Sequence, residues 1–162
     1  MELSLVGIGL SKISRNIAAL PRSRLRVSQP SVLTSVSPSA HAAMLDAARA
    51  AHPAEACGIL LGTGRHVHTA TLAANVHPEP LRHFEIDPAA LIAAHKAARA
   101  GGPAVLGYWH SHPNGLAGPS DTDRAMAGGD GRAWAIIANG AISLWVDAPN
   151  GFEPLPYAVR AG

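Results

Sequence analysis

Two histidines one residue apart, in Trp109-His110-Ser111-His112-Pro113, close an apolar stretch, and Ser120-Asp121-Thr122-Asp123 follows. Side chains on a strand alternate between faces, so His110 and His112 point one way and Ser111 the other. Two imidazoles on one face, running into a Pro-Asn-Gly turn, can grip one divalent ion. Asp123 can add an oxygen ligand from the first turn of the following helix. Two nitrogens and one carboxylate leave a tetrahedral zinc with one open position, the arrangement of a catalytic rather than a structural site. Water in that position has its pKa pulled from ~15.7 toward ~7.

Each piece taken alone has a plainer reading. His66 and His68 repeat the His-x-His spacing, on what reads as the wet face of a strand. Ser120-x-x-Asp123 is equally a capping box, and a carboxylate in a helix's first turn is favoured by the dipole. Asp121 reads as another first-turn acid. Cys57 is the one cysteine, which rules out an intramolecular disulfide, and it reads as a small, buried, inert residue. Ser111 and Pro113 are expected to shape the loop, at least one of Tyr108 and Trp109 to pack in the core, and His52, His77 and His83 to lie at the surface.

The elements that must position these groups are legible from caps and breakers. Val32 to Val36 reads as an opening strand. Ser37-Pro38 is an N-cap followed by proline at the first helical position, and predicts a helix through Arg49 that stops before Pro53. Gly58 to Gly62 is a short apolar run bounded by glycines, a buried strand, and residues 66–73 read as its neighbour. Asp87-Pro88 caps a second helix that runs to Arg99 and ends at Gly101-Gly102. Val105 to His110 is the strand carrying the histidines, and Ser120 caps a short helix closed by Gly128-Gly129. Trp134 to Ala138, Ile142 to Val146 and Tyr157 to Val159 complete the set. The mixture predicts an α/β fold with one central sheet and helices packed against it.

At 162 residues, 48% hydrophobic and 15% charged, the chain reads as one globular domain, taken as residues 31–162. Residues 1–30 read as a tail, with apolar spacing that fits a short amphipathic helix. Five of the 13 basic residues but one of the 11 acidic residues precede residue 31, so the remainder carries a net charge of −2. That balance does not favour nucleic-acid binding. No apolar run reaches the roughly 18–20 residues of a membrane span. A cytoplasmic protein with no membrane or nucleic-acid partner is expected.

His110-x-His112, seven residues and Ser120-x-x-Asp123 together match the JAMM motif, and the chain resembles the JAB/MPN (MPN-plus) zinc metalloprotease family in its compact prokaryotic form. Pro53-Ala-Glu55-Ala-Cys57-Gly58-Ile-Leu60-Leu-Gly62 is similar to the family's glutamate-bearing segment. Asn75 and Phe84-Glu85-Ile86-Asp87-Pro88 resemble the intervening pattern less specifically. The resemblance covers roughly residues 32 to 160. It implies a twisted mixed sheet sandwiched by helices, related to the cytidine-deaminase fold, with one zinc per chain held by His110, His112 and Asp123. It implies Glu55 as the residue that activates a zinc-bound water and Ser120 as a donor to the developing oxyanion. It further implies a peptidase or isopeptidase acting at the C-terminal tail of a ubiquitin-like or sulfur-carrier protein. The alternatives are a non-catalytic MPN-like scaffold and another zinc hydrolase, a phosphoesterase; a deaminase lacks the cysteines it needs.

Overall fold

A computed structural model describes residues 35–162; the expected tail over 1–30 and the start of the expected opening strand lie outside the described residues. The chain runs β1 (Ser35–Val36), α1 (Pro38–Ala51), β2 (Cys57–Thr63), β3 (His66–Ala73), α2 (Pro88–Arg99) and β4 (Ala104–Ser111). It continues with α3 (Asp121–Met126), β5 (Ala133–Ala138), β6 (Ala141–Ala148), β7 (Gly151–Pro154) and β8 (Ala158–Val159). All the strands form one mixed sheet in the order β7-β6-β5-β4-β2-β3-β1-β8. The β4/β5, β1/β3 and β1/β8 pairs are parallel and the rest antiparallel.

The helices begin where their caps place them. Ser37 accepts from the Ala40 N–H at 3.1 Å and Asp87 from the Ala89 N–H at 2.9 Å, each with proline next in the chain. α1 lays Ala40 and Met44 on one face of the sheet, against Leu60, Val67, Trp109, Ala135 and Ile137. α2 covers the other face with Ala90, Leu91 and Ala94, against Cys57, Ile59, Tyr108 and Trp134. Strand β5 is buried along its whole length because both of its faces are covered. The expected α/β sandwich is therefore the fold observed. Strand β7 was not expected: its four residues include a glycine and a proline, a composition tolerated only because it is an edge strand. No helix among the described residues is long and apolar enough to cross a membrane.

The central position of β4 matters most for the site. It pairs with β2 through Cys57↔His110 and with β5 through His110↔Ile136, so its C-terminal end is fixed from both sides. Trp109 faces α1, and its Nε1 crosses Gly58 to donate to the Thr71 carbonyl at 3.1 Å. A Cβ at Gly58 would collide with both that carbonyl and the indole. Gly58→Ala is therefore expected to cost about 2–3 kcal/mol by overpacking. Gly128→Ala, at a position open to solvent, should cost no more than about 0.5 kcal/mol. Urea unfolding of the two variants checks this; equal midpoints would contradict the assigned role of Gly58.

Candidate metal centre

Three side chains from one stretch of chain converge beyond the end of β4. His110 is fully buried, with the Phe84 ring stacked on its imidazole at 4.2 Å between centroids and Trp134 edge-on at 5.9 Å. Its Nδ1 is buried with no hydrogen-bond partner among the described residues, so packing sets its orientation. His112 lies one residue past the strand. Its backbone N–H donates to Ile137 O at 2.8 Å, and its ring Nδ1 lies 2.7 Å from the Leu116 carbonyl. Asp123, in the first turn of α3, accepts at Oδ2 from the Ser120 N–H at 2.7 Å and from the Ser120 hydroxyl at 2.8 Å. Its own N–H donates back to Ser120 Oγ at 3.1 Å, which completes the capping box. Cap and site geometry coincide here: the cap is what fixes the carboxylate.

A carbonyl can only accept, so the proton of a neutral His112 sits on Nδ1 and the Nε2 lone pair points inward. There it meets His110 Nε2 at 2.9 Å and Asp123 Oδ2 at 3.3 Å, while Asp123 Oδ1 lies 3.2 Å from His110 Nε2. Such a buried cluster needs either a shared proton, as a His110 protonated on Nε2 would supply, or a metal ion among its members. Bonds of about 2.0–2.1 Å to a tetrahedral zinc put ligand atoms roughly 3.3 Å apart, so the three side chains fit that ion. Burial disfavours the charged Asp123, but hydrogen bonds from His110 and His112 outweigh it and hold its carboxyl well below the usual carboxylate range. Burial pushes His110 down. It opposes charge on His112 as well, but there Asp123 and the Leu116 carbonyl prevail and the net shift is upward.

Glu55 arrives from the turn between α1 and β2 and is only 7% exposed. Its N–H donates to Pro80 O at 2.8 Å, and its carbonyl accepts from Asn75 Nδ2 at 3.0 Å. Asn75 also donates to His83 O, and its Oδ1 accepts from the N–H groups of His77 and Glu85. One amide thus ties the 74–86 loop to the backbone of Glu55. On the other side Ser111 Oγ accepts from the Ala56 N–H at 2.8 Å, joining the glutamate's segment to β4. Burial raises the Glu55 pKa to about 7; the charge of His112 lowers it and that of Asp123 raises it further. Glu55 is thus within electrostatic reach of the cluster and is not a solvated turn residue.

The remaining candidates sort clearly. Burial, with a contribution from Glu55, pushes the Cys57 thiol up to about 12, which leaves no nucleophile at neutral pH. Trp109 is core, Tyr108 is half-buried and Asp121 is exposed. His52 is exposed as expected, whereas His77 and His83 are half-buried, ring against ring at 4.9 Å and held by the Asn75 network. His66 is not on a wet face either: its ring is half-buried and bonds Ser35 Oγ at 2.7 Å. Neither histidine pair joins the His110–His112–Asp123 cluster. Two contributors are not among the residues the sequence singles out. The Leu116 carbonyl offers no side-chain signal. Asp147, 2% exposed, accepts from the N–H groups of Gly128 and Gly129 and closes the segment after α3; its only sign was an acid in an apolar strand.

A family model described as prokaryotic homologs of the JAB domain matches residues 37–148. The desampylase of Haloferax volcanii is 36% identical over 88 residues, covering 53% of this chain and 63% of that protein. A probable TtuB-protein conjugate cleaving protease of Thermus thermophilus is 42% identical over 71 residues, 44% of this chain and 47% of that protein. The chain therefore matches less than two thirds of the length of these curated relatives. Among solved structures, protein DSY2949 of Desulfitobacterium hafniense superimposes with a TM-score of 0.70 at 27% identity, over 80% of this chain and 94% of that one. A JAB1/MPN domain protein of Archaeoglobus fulgidus shares the fold, with a TM-score of 0.51 at 19% identity over 77% and 96% of the two chains.

The raised Glu55 pKa makes a stability prediction for the metal-free protein. The folded state holds the proton that the unfolded chain releases above its ordinary 4.5, so stability falls as pH rises from 4.5 to about 7 and then levels off. Glu55→Gln removes that loss. Its melting temperature should match wild type at pH 4 and exceed it at pH 8; a constant offset across that range would contradict the assignment.

Proposed function

We propose, from the premise that this chain belongs to the family of prokaryotic homologs of the JAB domain, that it is a zinc-dependent isopeptidase acting on conjugates of a ubiquitin-like or sulfur-carrier protein. The observation that carries this reading is a buried glutamate within electrostatic reach of two histidines and an aspartate that converge on one point. His110, His112 and Asp123 hold the zinc. Zinc bound there supplies Lewis acidity, polarising a carbonyl and acidifying water.

The chain's own groups handle the protons. Glu55 takes the proton from the attacking water as its oxygen bonds to the scissile carbonyl carbon. It then returns that proton to the nitrogen of the leaving amine as the C–N bond breaks. A buried carboxylate beside the cluster is placed to do both. Ser120 Oγ stands at the mouth of α3, where turning from Asp123 toward substrate lets it donate to the oxyanion. The Asn75 clamp keeps the Glu55 backbone in place during both transfers. The names of the two curated relatives, a desampylase and a probable TtuB-protein conjugate cleaving protease, support the substrate class.

Elemental analysis is the first test: about one zinc per chain is expected in the wild type and none in His112→Ala. A folded, zinc-incubated wild type without metal would overturn the reading in favour of a binding scaffold. The second test is cleavage of a fusion joined through the C-terminal Gly-Gly of a ubiquitin-like protein. Glu55→Gln should keep its zinc and lose at least 10²-fold in kcat. Ser120→Ala, which also removes a hydroxyl that holds Asp123, should lose a similar factor when assayed with zinc in excess. Zinc-loaded wild type that cleaves no such fusion would remove the substrate class while leaving the metal assignment standing.

A further inference from the structure

His112 is the proposed ligand with the least regular support, since it lies beyond β4 and in no element of its own. Outside the cluster itself, its ring is aimed by one hydrogen bond, from Nδ1–H to the Leu116 carbonyl at 2.7 Å. Leu116 is itself half-exposed and sits in an irregular loop. Within that loop two short turns form, Gly115 N–H to His112 O at 3.0 Å and Leu116 N–H to Asn114 Oδ1 at 3.0 Å. Neither attaches the loop to the rest of the molecule.

The attachment comes from the β5–β6 hairpin. Asn139 Nδ2 donates to Gly115 O at 3.0 Å, and Ser143 Oγ donates to Ala117 O at 2.6 Å. The carbonyls immediately before and after that of Leu116 are therefore both held by the hairpin. Trp145 extends the contact, donating from Nε1 to Ser143 Oγ at 3.0 Å and packing so close to Gly118 that a Cβ there would lie 3.3 Å from its ring. Gly115 also fits only as glycine. Its φ is +83°, and a Cβ would approach Asn139 Oδ1 to 2.9 Å. Asn139 has φ +51° and is followed by Gly140 at +75°, the two left-handed residues of a tight hairpin turn, so the turn alone accounts for an asparagine there. The turn does not account for its amide reaching across to Gly115, nor for a serine bridging Trp145 and Ala117.

We infer that Asn139 and Ser143 are positioning residues for His112, acting through the Leu116 carbonyl to hold the imidazole's inner nitrogen on the metal. The inference rests on the proposal that His112 is a zinc ligand. Partners that orient a ligating histidine typically influence affinity by 10–100-fold. Both tethers are partly open to water, so each is modest alone and the pair is tested together.

The experiment uses the full chain carrying Asn139→Gly and Ser143→Ala, singly and combined. Glycine keeps the left-handed turn while deleting the amide. Zinc affinity is measured by competition with a chelator, and exchange of the His112 Nδ1 proton with solvent by NMR on the metal-free protein. The double variant should retain its melting temperature within a few degrees, bind zinc at least about tenfold more weakly, and exchange that proton faster. Ser143→Thr, which keeps the hydroxyl, should restore affinity over Ser143→Ala. A folded double variant with unchanged affinity and unchanged exchange overturns the inference. If the double variant does not fold, Asn139→Asp decides it, because the carboxylate preserves the turn and cannot donate to Gly115. A wild type that binds no zinc defeats the metal reading, and the exchange rate alone then settles whether the hairpin orients His112.

Discussion

Two imidazole nitrogens and a carboxylate turned on one another in a buried space must share a proton or a metal ion, and the surrounding fold keeps them there. Each is restrained by different means. His110 is held by ladders on both sides of β4 and by the faces of Phe84 and Trp134. His112 is held by two carbonyls, one from β5 and one from its own loop. Asp123 is held by the cap of α3. A buried polar group left unsatisfied costs on the order of 1–3 kcal/mol. The sheet must therefore be stable enough to carry the cluster before any ion arrives.

The two carboxylates of the centre are driven in opposite directions by what surrounds them. Asp123 accepts from Ser120 twice and faces both histidines, so its charged form is favoured despite burial. Glu55 is buried without comparable donors and sits near Asp123, so its charged form is disfavoured. Environments that separate the pKa values of neighbouring acids are how one site holds a fixed charge and a mobile proton together. Here the separation follows from position in the chain: one acid begins a helix, and the other ends a turn.

What could be read from the sequence was whatever local geometry dictates. Ser37-Pro38 and Asp87-Pro88 placed two helix starts because capping depends on neighbours in sequence. His110 and His112 shared a face because strand periodicity is local, and Ser120-x-x-Asp123 left capping and ligation open because one geometry serves both. What stayed hidden was long-range. The four hydrogen bonds of Asn75 reach residues up to 20 positions away. The partial burial of His66 depends on Ser35, from a strand that pairs with β3 only after the chain has returned. β7 was missed because its four residues carry the composition of a turn and become a strand only by lying along β6.

The parallel pairing of β4 with β5 has a consequence for the order in which the protein is made. Chains emerge from the ribosome N-terminus first. The three proposed ligands and Glu55 have all been synthesised by residue 123, but Ile137, whose carbonyl fixes His112, and the strand that flanks His110 come later. A nascent chain that ends before β5 thus contains every proposed reactive group, with the Asp123 cap and the Asn75 clamp. It lacks the strand that fixes His112 and flanks His110, so the cluster is completed only after β5 has been made.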